Sequence, residues 1–149
     1  MKRKVIAIAA IVLAGIFATP IFLNLRRVSV YEERVSNILS GKAENWYLPK
    51  QIPEAATNKY YNYTEGWGQG GSSNTLKFRL PEEAAQDLRD RIVSGTSSKE
   101  SSDLSRPKII TSDRYEELVW TAFDGNHGSE GGVWYNAKKD EFVFYHRAW

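Results

Sequence analysis

The densest run of polar side chains with chemical potential lies between Asp124 and Glu130: Asp124, Asn126, His127, Ser129 and Glu130. Asp124-x-Asn126 opens like a calcium loop, in which oxygen ligands alternate along the chain around a turn glycine. Here Gly128 stands where the third ligand belongs, and Ser129 where the glycine belongs. Zinc fares no better: the chain has two histidines, His127 and His146, and no cysteine, too few donors for the usual tetrahedral set. No metal and no cofactor is therefore expected, and Asp124 and Asn126 read as turn residues.

Nucleophilic patterns are equally thin. Ser129 has His127 two positions before it, so no G-x-S-x-G forms. Gly66, Gly68 and Gly71 spell G-x-G-x-x-G. A dinucleotide site needs a helix straight after that pattern, so that the helix N-terminus faces the pyrophosphate. Ser72, Ser73 and an alternating strand follow instead. What the glycine loop does carry is Trp67, with Gly68 and Gln69, a large aromatic at the tip of a long connection. Tyr63 on the strand before it, and Trp134 and Tyr135 from the C-terminal hairpin, complete an expected recognition surface for a sugar ring, a peptide or a protein. Most of the surrounding tyrosines are expected in the core.

Something must hold these residues in place, and the strongest signal lies at the N-terminus. Val5 to Leu23 contains no charged side chain, and Lys2, Arg3 and Lys4 stand directly before it. A helix of that length spans roughly 28 Å, close to a bilayer's hydrocarbon thickness. Its eleven Val, Ile, Leu and Phe residues contribute about −3 to −7 kcal/mol to insertion. Asn24, Arg26 and Arg27 end the run. The excess of positive charge before it favours a cytoplasmic N-terminus. A cleaved signal peptide is the competing reading, but Ile16-Phe17-Ala18 followed by Thr19-Pro20 makes a poor cleavage site. An uncleaved signal-anchor is expected: basic tail 1–4, transmembrane anchor 5–25 in contact with the lipid bilayer, juxtamembrane helix and connector 26–57, and an extracytoplasmic domain 58–149.

The pI of 8.8 does not signal nucleic-acid binding. Five basic residues belong to the anchor and its flanks, leaving 15 basic against 18 acidic side chains from Val28 onward. The head is mildly acidic, and the basic surplus sits where anionic lipid is. All five tryptophans (46, 67, 120, 134 and 149) lie beyond the anchor, so aromatic burial is the main source of core stability there.

Ser29-Val30-Tyr31-Glu32 has the form of a capping box, and Tyr31, Val35, Ile38 and Leu39 then recur at helical spacing, predicting a helix over about 30–40. Trp46, Tyr47 and Leu48 read as a clasp in an irregular connector. Tyr-rich 59–64 and alternating 74–80 read as strands, the latter with Leu76, Phe78 and Leu80 inward. A helix is predicted over 81–94, where Pro81 opens it, Glu82 and Glu83 fill the first turn and Ala84, Ala85, Leu88 and Ile92 form its stripe. Lys108 to Thr111 reads as a short strand. Tyr115, Leu118, Val119 and Ala122 fall at i, i+3, i+4, i+7, predicting a helix over 113–122. Two strands, 132–136 and 141–147, close the chain, the last apolar on both faces and hence interior.

The expected fold is α+β: a transmembrane helix followed by one small domain, with a mainly antiparallel four- or five-stranded sheet and two to three helices. The expected function is that of a single-pass, membrane-anchored binding or interaction domain of the cell envelope, contacting a protein, peptide or glycan and no nucleic acid. One alternative is a small envelope hydrolase using an acid pair or His127. Another is a structural subunit held in a membrane complex through Ala10-x-x-x-Ala14.

Overall fold

The computed structural model describes residues 15, 18–39, 48–64, 71–95, 110, 115–123 and 129–148. Helix α1 (18–29) passes through a turn at Val30 into α2 (Tyr31–Leu39). Strands β1 (Thr57–Thr64) and β2 (Ser72–Arg79) pair antiparallel, and α3 (Glu82–Gly95) follows. Strands β3 (Glu116–Phe123), β4 (Ser129–Asn136) and β5 (Glu141–Ala148) complete one five-stranded sheet. Its order is β1-β2-β5-β4-β3, with every neighbouring pair antiparallel. The chain leaves β2 near one edge, crosses through α3, and returns along the other edge as β3.

Strand β5 sits in the middle because both of its faces are apolar. Phe142 and Phe144 lie opposite Phe78 and Leu76 of β2 on one side, and Tyr135 and Val133 of β4 on the other. The Phe78 and Phe144 rings stack at 5.4 Å, and Tyr135 lies 4.6 Å from Phe142. Helices α2 and α3 cover this face with Tyr31, Val35, Ala85 and Ile92. Leu48 is buried in the same core, whereas the rest of its predicted clasp, Trp46 and Tyr47, lies outside the described residues. Alternation in β2 places Leu76, Phe78 and the following Leu80 inside, with Thr75, Lys77 and Arg79 half-buried on the opposite face. On that opposite face Ile110, Trp134 and Val143 form a smaller cluster, flanked by Tyr115 and Tyr145.

Between β4 and β5 the chain turns through 137–140, with Asp140 at φ 49°, a left-handed conformation that a short polar side chain tolerates. The Asp140 carbonyl accepts the Leu80 N–H at 3.0 Å, tying this turn to the end of β2.

Two local expectations are corrected. Of the segment predicted as a helix over 113–122, residues 116–122 lie in strand β3. Its pairing with β4 shifts register between Glu117 and Val119, so a bulge brings Leu118 and Val119, adjacent in sequence, into the same core. A bulge places two neighbouring residues inward, and that doubling imitates the three-four spacing of a helix. The β-branched and aromatic content of Val119, Trp120, Thr121 and Phe123 carried the true preference. Second, Ser29 is not a cap. It is helical, and its hydroxyl donates to the Arg26 carbonyl at 2.8 Å, because the helix is already running when the chain reaches it. Of the expected short strand at 108–111 only Ile110 is described, and it is not in a strand.

Most of the expected anchor, residues 5–14, 16 and 17, lies outside the described residues. Among the described residues no helix is long and apolar enough to cross a membrane. Those of α1 expose Ile21, Phe22, Leu23 and Leu25.

Candidate functional site

Helical geometry brings residues three, four and seven apart onto one face. On α1 this aligns Leu23, Arg26, Arg27 and Val30. The turn at Val30 hardly interrupts the stripe, since the Arg34 N–H donates to the Val30 carbonyl at 3.1 Å. Arg34 therefore joins the same side from α2. Strand β1 lies alongside and presents Tyr63. The result is an open cleft of about 580 Å³, whose charged lining is Arg26, Arg27 and Arg34 against Glu33. Leu23, Val30 and Tyr63 supply its apolar walls.

Two of the three arginines are held in place by the fold itself. The Arg34 guanidinium carbon stands 3.5 Å from the centre of the Tyr63 ring, and that of Arg27 at 5.8 Å, a cation–π arrangement. Arg27 Nη1 also donates to Asn62 Oδ1 at 2.5 Å. Beneath them Tyr61 lies 5.8 Å from Tyr63, and Tyr31 meets the Tyr61 ring edge-on at 4.9 Å and 83°. The Tyr31 hydroxyl donates to the Pro49 carbonyl at 2.6 Å, and that of Tyr61 to Asn74 Oδ1 at 2.6 Å. Burial pushes both phenols up, Tyr31 well above its ordinary value, so this floor stays uncharged.

Asn24 fixes the helix to the sheet. Its Nδ2 donates to the Lys59 carbonyl at 2.9 Å, and its Oδ1 accepts the Tyr61 N–H at 3.2 Å. One side-chain amide thereby does for the edge strand β1 what a neighbouring strand would do, closing an edge otherwise open to pairing.

Among the described residues of the expected recognition surface, Tyr63 is the one placed in this cleft. Trp67, Gly68 and Gln69 lie outside the described residues. Trp134 and Tyr135, consecutive in β4, point to opposite faces of the sheet, and both are buried. Trp134 packs with Ile110 and Val143. Tyr135 donates to Asp140 Oδ1 at 2.8 Å, and burial together with that carboxylate pushes its hydroxyl up to about 12. Sequence reasoning missed Arg34 and gave Asn24 no role beyond ending the apolar run. The signal for Arg34 was present: Leu23, Arg27, Val30 and Arg34 follow one helical stripe once the helix is read as continuous through Ser29.

A second polar group forms on the opposite face of the sheet. Glu141, buried, accepts a hydrogen bond from the Tyr115 hydroxyl and one from Arg79 Nε at 3.3 Å, and pairs with Lys77 Nζ at 3.9 Å. Burial acts to raise its pKa, but the Tyr115 hydrogen bond and the two cations outweigh it and hold the carboxyl below its ordinary value. Burial and the same carboxylate push Tyr115 up to about 12. A carboxyl held ionised cannot act as a general acid near neutral pH, a role that needs the opposite shift. Among the described residues no three His, Cys, Asp or Glu side chains converge as metal ligands. His127 lies outside the described residues, and His146 is buried.

The chain matches no family model, no curated protein and no solved structure.

Proposed function

We propose that the chain is a single-pass, membrane-anchored binding or interaction domain, its N-terminus cytoplasmic and its α+β head outside. The observation that carries this reading is the sequence run Val5–Leu23, uncharged throughout and preceded by three basic residues. The exposed Ile21, Phe22, Leu23 and Leu25 of α1, followed at once by Arg26 and Arg27, support it. Apolar side chains left exposed among the described residues suit a lipid environment, and arginines suit its boundary. The partner-binding end is proposed at Tyr63 and the loop that follows it, where Trp67, Gly68 and Gln69 stand.

Carbonate extraction and protease digestion of sealed cells test the reading together. The full chain is expected to stay with the membrane at high pH, and added protease is expected to remove an epitope placed after Trp149. Release into the carbonate supernatant, or an epitope protected until the cells are lysed, would overturn it.

A further inference from the structure

We infer that the arginine cleft between α1, α2 and β1 is a headgroup site for an anionic phospholipid of the membrane that holds the chain. This rests on the anchored reading above and gives its lipid contact a place and a chemistry. Among the described residues three arginines line the cleft against one carboxylate, Glu33, and a guanidinium fork matches phosphate oxygens with paired, charge-assisted hydrogen bonds. Two of the three are held in advance, Arg27 by Asn62 and Arg34 on the Tyr63 ring. Binding then costs less ordering entropy than it would with three loose side chains.

Position along the helix argues for lipid over a soluble anion. Leu23 belongs both to the cleft wall and to the exposed apolar stretch of α1. At about 1.5 Å per residue, the step from Leu23 to Arg27 is roughly 6 Å, the passage from acyl chains to headgroups. Leu23 can lie against the glycerol and first acyl carbons while the arginines hold the phosphate. Asn24, bonded to the β1 backbone within the same turn, couples that depth to the orientation of the head. A bound lipid would therefore set how the domain stands on the bilayer.

The test uses the full chain in a non-ionic detergent, titrated with phosphatidylglycerol and separately with phosphatidylcholine, the bound lipid being counted by native mass spectrometry. Retention of phosphatidylglycerol and little phosphatidylcholine is expected. Arg26 is exposed, so Arg26→Gln is expected to keep the wild-type melting temperature. It should weaken phosphatidylglycerol about five-fold, and Arg26→Gln with Arg27→Gln about twenty-five-fold, as follows from the usual contribution of a basic residue at an anionic surface. Equal retention of the two lipids, or phosphatidylglycerol binding unchanged in Arg26→Gln, overturns the site. So does glycerol phosphate competing at the lipid's own concentration, which would mark a free-phosphate site, or polyglutamate displacing the lipid, which would mark an acidic-peptide site. Carbonate extraction separates the two levels of inference. A chain that stays in the membrane but retains no phosphatidylglycerol loses the headgroup site alone, whereas a chain that washes out loses the anchored reading and the site with it.

Discussion

On one face of the sheet, two helices press Tyr31, Val35, Ala85 and Ile92 onto Leu76, Phe78, Phe142 and Phe144. On the other, Ile110 covers Trp134 and Val143, and Tyr115 is held to the sheet through Glu141. The first face is closed by apolar area and shape, which act without direction and resist salt and pH. Among the described residues the second carries a smaller apolar cluster and two buried carboxylates, Glu141 and Glu130, and the contribution of Glu141 depends on its ionisation and on the hydroxyl and cations around it. The lesson of the contrast is that one small sheet can carry a robust side and a tunable side. The tunable side is the one on which a polar residue of β5, Glu141, lies next to the apolar Val143 on the same face.

The largest expected effect is on the robust face. Phe144→Ala should cost about 3–5 kcal/mol, the range for emptying a buried phenylalanine site, and should lower the urea midpoint with the melt remaining a single transition. A cost below about 1 kcal/mol would mean that this face is loosely packed, and the contrast between the faces would dissolve.

Glu141→Gln is expected to cost less, about 1–3 kcal/mol, the range for disturbing buried hydrogen-bonding groups. Its signature is pH. The folded carboxyl lies below its ordinary value, so the unfolded chain takes up the proton first. The stabilisation is therefore complete above the ordinary carboxylate value and is lost as pH falls through the lowered folded value. Stability of the parent chain should drop along that acid limb, and the variant should follow a flatter one. Parallel limbs would show that Glu141 does not supply the pH dependence, whatever the variant costs at neutrality.

The smallest effect is expected where charge is exposed. Arg89 of α3 donates to Glu116 of β3 through Nη2 at 3.1 and 3.2 Å, with the carboxylate half in solvent. Arg89→Ala should cost under about 1 kcal/mol, a difference that shrinks further when salt is raised. A loss as large as that for Glu141→Gln would show that the helix-covered face also depends on electrostatics.

The alternation of Leu76, Phe78 and Leu80, the helical stripe of α3 and the two-sided apolar pattern of β5 were all legible, because each depends on one periodicity within one element. Strand β3 was not, since its bulge at Leu118 scrambles the period of two and is settled by pairing with β4. Arg34 was within reach of a longer helical reading. The burial of Trp134 and Tyr135 was not, because adjacent strand residues face opposite sides and only the packing on both sides says whether either remains exposed.

By itself, then, the sequence determined an uncharged apolar N-terminal run, a mildly acidic head and the number and character of most elements, since these follow from composition and short-range spacing. Tertiary structure alone decided that Asn24 bonds the edge of β1, that Arg27 and Arg34 stand over the Tyr63 ring, and that Glu141 meets Tyr115, Lys77 and Arg79. Each of those meetings joins residues from different elements, and no local periodicity encodes the distance between groups that become neighbours only when the sheet closes.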